Sequence, residues 1–422
     1  MGERGSRGTI ARTTRPRDRK AQIISAASDL FYRFGYHNVG TEDIAEAVGI
    51  TAGALYRHFR SKQDLLASAL IDSFDRAQVV IERHRPGRIE DMVQGIAETA
   101  GARRDLGVLW NREIRHLDDE RRQRVRARFF GFLAGFTEAL REARPELSAD
   151  QVDLLAWCSL AVLTSPSYHR TAVPAEGLAG LLREMTLGVC TADLSRVSPG
   201  TRPGKEVVAD SNGPGHTDDT GAVAAIGAAD GPAKRGVPLH SRREALLAAA
   251  SRLFNRRGYQ TVTMEEIGAE VGVTSTSIYR YFTTKVDLLT AIIARGTEPL
   301  QLGLSQALSR ASTPLEGLSN AVTAYIEFAM SHHDLVGVLV AEVMNLPEPH
   351  RSRIRRAQHD YVVEWIRLME AIHPELGRGE AAFRVHAALT VVNDVARTTH
   401  LRSRPRITDE LMLITGRVLH GA

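Results

Sequence analysis

Apolar residues recur every three to four positions in the segment that follows residue 20. Ile23, Ala27, Leu30 and Phe34 share one face of a helix with a period of 3.6 residues, so the pattern predicts an amphipathic helix. Gly35 stands where this helix is expected to end, because glycine adopts the backbone conformation that commonly terminates helices.

Two short helices are predicted next, separated by a tight break. The first covers residues 41–48, the break falls at Gly49-Ile50, and the second starts after Thr51 as the N-cap and ends near Phe59. A fourth helix opens at Lys62. Two short helices joined by a three- or four-residue turn that contains glycine are typical of the helix-turn-helix motif.

The same pattern occurs a second time along the chain. A shift of 223 aligns Lys20–Leu66 with Arg243–Leu289 without a gap, with 21 identities in 47 positions. Later residues align more weakly with a shift of 229, which pairs Phe136 with Trp365. The chain is therefore two copies of one unit, called copy one and copy two below. The initial helices of each copy are called its head and the remainder its body.

The two heads differ slightly in how their second helix is capped. In copy two, Thr263-x-x-Glu266 predicts a capping box, in which each residue binds the backbone N–H of the other. In copy one the N-cap position holds Gly40, which typically costs only a few tenths of a kcal/mol.

These patterns predict an all-α fold of two tandem units, each with a three-helix helix-turn-helix head and a larger helical body. Residues 193–238 contain eight Gly, five Pro and no Phe, Tyr or Trp, so we expect a disordered linker. As a 46-residue coil it would span about 37 Å on average. The predicted segments are a disordered basic arm at 1–18, head one at 19–84, body one at 85–192, the linker at 193–238, head two at 239–297 and body two at 298–422.

Charge is concentrated at the start of the chain. Residues 1–20 hold seven basic and two acidic side chains, a balance of +5, whereas the whole chain carries +4. Such an arm suits a polyanion, and a solvated tail is the alternative. No apolar stretch follows it, and the longest apolar run, near Leu154–Leu163, is about half of the roughly 20 residues that span a bilayer. We therefore expect a cytoplasmic, nucleoid-associated protein without a membrane partner, with Cys158 and Cys190 as core residues.

Residues 54–66 read Ala-Leu-Tyr-Arg-His-Phe-Arg-Ser-Lys-Gln-Asp-Leu-Leu, which resembles the signature of the tetracycline-repressor (TetR/AcrR) family. Residues 277–285 resemble it nearly as well, and the resemblance covers about 50 residues of each copy. It implies a dimeric, all-α bacterial repressor whose heads bind DNA and whose bodies bind a small molecule and dimerise.

The second helix of each motif is the expected DNA-reading element, because its N-terminal residues face base edges in the major groove. Arg57 and Arg280 would bond guanine or, equally, a phosphate. Tyr56 and Tyr279 resemble the family's phosphate-contacting tyrosine, with core packing as the alternative. Lys62 and Lys285 are expected to bind phosphate at a helix N-terminus, and Phe31, Phe59, Phe254 and Phe282 to form the head cores. The predicted DNA-binding residues are Thr51, Ala52, Gly53, Tyr56, Arg57, His58, Lys62, Thr263, Thr274, Ser275, Thr276, Ser277, Tyr279, Arg280, Tyr281 and Lys285.

The heads differ where they would read sequence. The first turn of the reading helix is Ala52-Gly53-Ala54 in copy one and Ser275-Thr276-Ser277 in copy two. The first offers methyl groups and close backbone approach and the second offers hydroxyls, which predicts unlike half-sites.

Aromatic side chains in the bodies are candidates for lining an effector cavity, as the resemblance implies, although aromatics at helical spacing usually form core. The predicted ligand-binding residues are Trp110, Phe129, Phe136, Trp157, Phe328, Trp365 and Phe383. The expected effector is an apolar small molecule of unknown identity. The sequence has no nucleophile motif, phosphate-binding glycine loop or metal-ligand spacing, so no cofactor, metal or enzymatic activity is expected.

The sequence thus favours a ligand-responsive, sequence-specific transcriptional regulator, a repressor, whose two heads read an imperfect palindrome in double-stranded DNA. The alternative is a helical small-molecule-binding or assembly protein whose heads have lost DNA readout. We expect the copies to pair within one chain as a pseudo-dimer, with further homodimerisation left open. The expected pairing helices are Asp150–Thr164 with Glu176–Val189, and Gly379–Thr398 with Ile407–Leu419.

Overall fold

The computed structural model describes residues 16–84, 88–169, 171, 173–196 and 241–421. Helices joined by turns make up this part of the chain, which contains no β-strand, so the all-α prediction is confirmed. None of the described helices is both long and apolar enough to cross a bilayer. Residues 1–15 of the predicted arm, residues 197–238 of the predicted linker and residues 239–240 of predicted head two lie outside the described residues.

Copy one forms its head from three helices, and a fourth, longer helix connects the head to the body. After α6 the chain makes a π-turn at Leu109–Glu113 and a 3-10 turn at Ile114–His116. The helices are α1 (Pro16–Phe34), α2 (Thr41–Ala47), α3 (Ala52–Tyr56), α4 (Lys62–His84), α5 (Ile89–Gly101), α6 (Leu106–Val108), α7 (Asp119–Ala143), α8 (Ala149–Thr164) and α9 (Ala175–Cys190).

Copy two repeats this order, with an additional short helix in the body. The helices are α10 (Arg242–Arg257), α11 (Met264–Val271), α12 (Ser275–Ile278), α13 (Lys285–Ser309), α14 (Pro314–Ser331), α15 (His333–Ala341), α16 (Glu348–Ile372), α17 (Arg378–Arg397), α18 (Thr399–Arg402) and α19 (Ile407–His420). Helices α14, α15 and α17 are longer than their counterparts in copy one, and α18 is the additional helix.

Three predicted boundaries are wrong. Helix α1 starts at Pro16, inside the arm predicted for 1–18. Residues 193–196 were predicted to begin the linker, but Leu194 is buried and belongs to a 3-10 turn. The border predicted at 297/298 falls inside the continuous helix α13, which connects head two to body two in the same way that α4 does in copy one.

The heads fold as their sequence pattern predicts. Gly35 and Gly258 follow α1 and α10 with φ of 83° and 84°, values that side chains with a Cβ rarely adopt. The capping box of α11 is confirmed, since Thr263 Oγ1 accepts from the Glu266 N–H at 3.2 Å and Glu266 Oε2 accepts from the Thr263 N–H at 2.8 Å. The head-core prediction is confirmed for all four aromatics, Phe31, Phe59, Phe254 and Phe282, each at most 4% exposed.

The two copies pack on each other through their last long helices. Helix α8 lies against α17 and α9 lies against α19, and each of these pairs joins equivalent elements of the two copies. The contact is close at Gly188, where a Cβ would lie 3.3 Å from the carbonyl oxygen of Arg417, the equivalent residue of copy two. Cys158 and Cys190 are buried and unpaired, as predicted.

Polar contacts between the copies join unlike residues. Arg384 donates to Glu184 Oε1 at 2.8 Å, and His400 Nε2 lies 3.0 Å from Asp153 Oδ2. The positions equivalent to Glu184 and Arg384 hold Leu413 and Leu155, so this ion pair has no symmetric counterpart. The interface therefore discriminates between one copy and the other.

A further ion pair joins the two copies between the 3-10 turn at Ile114–His116 and the end of α15. Arg115 of copy one contacts Glu342 of copy two, whose side chain is fully buried. Glu342 aligns with Glu113, which in copy one pairs with its own Arg112 and also contacts His116. Copy two has Ala341 and Asn345 at those two positions, so copy one supplies the cation instead.

Candidate DNA interface and effector cavity

Glycine fixes the turn before each reading helix. Gly49 and Gly272 have φ of 66° and 71°, in the left-handed region. Thr51 then caps α3 by accepting from the Ala54 N–H at 3.2 Å. Thr274 holds the equivalent N-cap position of α12, and its hydroxyl lies 3.0 Å from Ser277 Oγ instead of accepting from a backbone N–H.

The two reading-helix arginines are available for a partner. Arg57 and Arg280 are exposed, and neither side chain makes a hydrogen bond or ion pair with any residue that the structure describes. His58 and Tyr281 beside them are exposed as well. These side chains can meet a base edge or a phosphate without first breaking a contact within the head.

The tyrosines of the motif are not part of the head core. Tyr56 is 51% exposed and Tyr279 is 50% exposed, which makes the core-packing alternative wrong. The Tyr56 hydroxyl lies 3.2 Å from Thr41 Oγ1, at the start of α2. The hydroxyl thus lies at the N-terminus of α2, where backbone N–H groups favour an anion.

The ammonium groups of Lys62 and Lys285 lie against the loop that precedes the helix-turn-helix motif of their own head. Lys62 Nζ donates to the carbonyl oxygens of Tyr36 and Val39 at 2.8 and 2.9 Å and lies 4.2 Å from the centre of the Tyr36 ring. Lys285 Nζ lies 4.4 Å from the Tyr259 ring centre. Burial lowers the pKa of both ammonium groups. Both cations fasten the start of α4 or α13 to the loop before the motif, and both remain half-buried, so their phosphate contact stays a prediction.

The first turns of α3 and α12 present different surfaces, as their sequences predict. A Cβ at Gly53 would meet nothing nearer than Thr51 Oγ1 at 4.0 Å, so a nucleic acid backbone can approach closely there. In copy two Thr276 is exposed. Ala52 and Ser277 are half-buried, and the side chain of Ser275 lies outside the described residues.

Body two contains an apolar cavity of about 280 Å³. It lies between α13, α14, α15, α16 and α17, and Tyr168 of copy one closes one side. Its surface is mostly apolar, and among its polar groups the Tyr325 hydroxyl donates to Asn393 Oδ1 at 2.7 Å. A mostly apolar cavity with a few polar groups is typical of small-molecule sites.

The equivalent space in body one is nearly filled, at about 60 Å³. Phe74 and Phe129 occupy it, where copy two has Thr297 and Gln358. Their rings lie 5.5 Å apart, and Phe129 also stacks on Trp110 at 4.2 Å. The two bodies therefore differ in what they can hold.

Most of the predicted ligand-binding aromatics lie elsewhere. Phe328 lines the cavity of body two, whereas Phe136, Trp365 and Phe383 are fully buried in the core and line none of the described cavities, so that prediction is wrong for them. Their rings pack against neighbours on all sides, which leaves no face for a ligand. Phe129 fills the small space in body one. Trp110 and Trp157 line a separate cavity between the copies.

Sequence reasoning missed the residues that make body two hollow. Thr297, Gln358 and Asn393 line its cavity, and none was predicted. The alignment of the two copies contained the signal, because Phe74 and Phe129 of copy one align with smaller or polar residues in copy two. Large aromatic side chains usually fill the core, so their presence in the sequence did not mark the cavity.

Comparison with known proteins agrees with this architecture. The N-terminal model of the tetR family of bacterial regulatory proteins matches residues 23–69 and again residues 246–292, and a tetracyclin repressor-like C-terminal model matches 311–397. The HTH-type transcriptional repressor BepR of Brucella suis is 30% identical over 146 residues, 33% of this chain and 68% of BepR. The chain belongs to the tetR family of bacterial regulatory proteins.

Other relatives of this tetR-family chain match it in part. The HTH-type transcriptional activator FasR of Mycolicibacterium smegmatis is 35% identical over 114 residues, 27% of this chain, and the match spans about half, 51%, of FasR. A TetR-family transcriptional regulator from Bordetella parapertussis superimposes with a TM-score of 0.40 at 18% identity, over 43% of this chain and 96% of that structure.

Asp394 makes the stability of this tetR-family chain depend on pH. Burial raises the pKa of its carboxyl to about 6, although Arg397 lies 3.9 Å away. The folded state therefore holds a proton that the unfolded chain releases, so this stabilisation is complete below about pH 4 and is lost as the pH rises through 6. Asp394→Asn should then raise the free energy of unfolding at pH 7 by at most about 3 kcal/mol. We expect less, because 22% of the side chain is exposed.

Urea unfolding between pH 4 and 8 measures this effect. The free energies of unfolding of the variant and the wild type should converge near pH 4. Asp360→Asn, at an exposed position of α16, serves as the control. Equal pH slopes for Asp394→Asn and the wild type would contradict the assignment.

Proposed function

We propose that this chain is a ligand-responsive, sequence-specific DNA-binding repressor that works as an intrachain pseudo-dimer. The observation that carries the proposal is the pair of reading helices with exposed, unpartnered arginines on two copies that pack through equivalent helices. Each head would place its reading helix in one major groove, and the two heads together would cover two half-sites. Repression is the simpler assignment, because blocking a promoter needs no contact with polymerase.

The two half-sites are unlike in this proposal. Gly53 permits close backbone approach in head one, whereas head two offers hydroxyl groups at the corresponding turn. Methyl, backbone and hydroxyl groups discriminate between base edges in different ways. The operator would therefore be an imperfect palindrome.

One apolar small molecule per chain would control DNA binding, held in the cavity of body two. Helix α15 lines that cavity with Val336, Leu339 and Val340 and packs on α10 of head two. It ends next to Glu342, which contacts Arg115 of copy one. A ligand that displaces α15 would shift both contacts, and it would change DNA affinity if it binds the two arrangements unequally.

The test of the proposal is selection of binding sequences with the full-length chain and two variants. Arg57→Ala should relax sequence preference in one half-site and Arg280→Ala in the other, each costing about 1–3 kcal/mol if the arginine meets a base. Arg60→Ala removes an exposed charge just beyond α3 and should weaken binding evenly across sequences.

Two outcomes would overturn the proposal. A perfectly symmetric consensus would contradict unlike heads. Failure to select any sequence, with a folded protein, would favour the alternative of a helical small-molecule-binding or assembly protein.

A further inference from the structure

A second cavity, of about 680 Å³, lies between the two copies. Copy one contributes the turns after α6 together with α7 and α8, and copy two contributes the end of α10, the end of α15 and the α17–α18 junction. It shares Asp394 with the apolar cavity of body two and is otherwise separate from it. The cavity exists only where the copies are paired, since neither copy supplies more than part of its wall. We call it the inter-copy cavity.

Its wall is strongly basic. Asp394 is the one carboxylate among the described lining residues. Against it stand six arginines, Arg115, Arg122, Arg126, Arg256, Arg257 and Arg397.

Part of this charge is balanced by acidic residues outside the cavity. Arg115 pairs with Glu342, Arg122 with Asp119 and Arg257 with Glu266. Two of these arginines, Arg115 and Arg122, still have hydrogen-bond donors that are not used by the ion pairs.

Three of the cavity arginines keep a buried nitrogen without a hydrogen-bond acceptor in the protein. These nitrogens are Arg115 Nε, Arg122 Nε and Arg397 Nη1. Leaving such a donor unpaired costs free energy, so buried donors normally have an acceptor. Burial, together with the neighbouring Arg122, also lowers the pKa of the Arg126 guanidinium. The site is thus arranged for acceptor oxygens that carry negative charge.

The cavity also has aromatic walls. Trp110, Phe130 and Trp157 line it, and all three are half-buried, so part of each ring faces the space. The ring of Trp157 meets His400 edge-on at 5.8 Å. Guanidinium groups next to indole faces suit a ligand that combines anionic oxygens with a planar ring.

The cavity has no symmetric counterpart. The positions equivalent to Trp110, Arg115 and Trp157 hold Leu339, Met344 and His386. One such site per chain follows from this difference, and it depends on the copies being unlike. A homodimer of either copy would not build it.

We propose that the inter-copy cavity binds a nucleotide-type ligand, with its phosphates on the arginines and its base between the aromatic side chains. Arginine binds phosphate through a planar fork of donors, and six of them can accommodate a polyphosphate. None of the reading-helix residues Tyr56, Arg57 and Arg280 lines the cavity, so it is a small-molecule site separate from the DNA interface.

The test uses the full-length chain without DNA and follows tryptophan fluorescence. Two of the three tryptophans, Trp110 and Trp157, line the cavity, and Trp365 is buried elsewhere. ATP should quench the fluorescence saturably at about 0.15 M salt and raise the melting temperature. Tripolyphosphate should bind more weakly than ATP because it lacks the base that contacts the aromatic side chains. Adenosine should not bind, because it lacks the phosphates that the arginines hold.

Variants separate the cavity from general surface charge. Arg126→Gln in copy one and Arg256→Gln in copy two should each weaken ATP binding at least about tenfold. Arg128→Gln is the matched control on α7, since its side chain is 63% exposed, lies outside the cavity and faces Asp75. Circular dichroism checks that each variant is folded, and Arg256 is exposed at the rim, so at least that substitution should preserve the fold.

Three results would overturn the proposal. Absence of saturable quenching by ATP would remove the site. Equal losses in Arg128→Gln and Arg126→Gln would reduce it to non-specific attraction. Quenching by duplex DNA but not by ATP would assign the arginines to the DNA backbone instead.

Discussion

A chain carrying Thr297→Phe together with Gln358→Phe is expected to lose apolar-ligand binding in body two while it keeps its fold. These substitutions introduce the residues that copy one has at the same positions, Phe74 and Phe129, and there they leave only about 60 Å³. Filling a cavity of about 280 Å³ removes the space for a ligand and adds apolar contacts. The uncharged fluorescent dye N-phenyl-1-naphthylamine measures the change, because it lacks the anionic group that suits the inter-copy cavity. Its saturable signal with the wild type should fall to the level of free dye.

Leu302→Phe is the matched control, because Leu302 lies on the same helix and is 60% exposed. Dye binding that persists unchanged in the double variant would contradict a ligand site in body two. The reciprocal change is expected to damage the protein, since Phe74→Ala should cost about 3–5 kcal/mol of stability through the space it leaves in body one.

Cutting the chain at a protease site inserted within residues 197–240 is expected to leave the two halves associated and bound to DNA. The copies share a continuous core across their bodies, and Arg384, only 4% exposed, ties them together through Glu184. Gel filtration of the cut protein should therefore give a single peak at the mass of the intact chain.

The same cut protein with Arg384→Glu is expected to separate. The substitution sets a carboxylate against Glu184 and Glu380, and losing such a hydrogen-bonded charge pair costs about 2 kcal/mol or more. This corresponds to a roughly thirtyfold higher Kd between the halves. Arg378→Glu on the same helix is the control, since its side chain is 65% exposed and pairs within copy two. Two separate homodimers in the cut wild-type protein would contradict the intrachain pseudo-dimer.

The sequence alone determined the repeat, the all-α class and the construction of the heads. These features depend on neighbours within a turn or two of helix: the period that brings Ile23 and Phe31 to one face, the glycine at residue 35, and the Thr263–Glu266 capping box. Local signals of this kind depend on residue spacing, and the helix period and the terminating glycine recur in copy two, at residues 246–254 and at Gly258.

Only the tertiary structure decided which side chains face space and which fill it. Spacing predicted a cation at residue 62, but only the fold shows that two carbonyl groups and the Tyr36 ring hold Lys62 against the loop before the motif. Trp365 was predicted to line a cavity, yet it is buried in the core. Thr297 and Gln358 are among the residues that line the cavity of body two instead. The inter-copy cavity combines residues more than 200 positions apart, such as Arg115 and Arg397. Spacing along the chain carries no information about such encounters, because they depend on how complete helices pack across an interface.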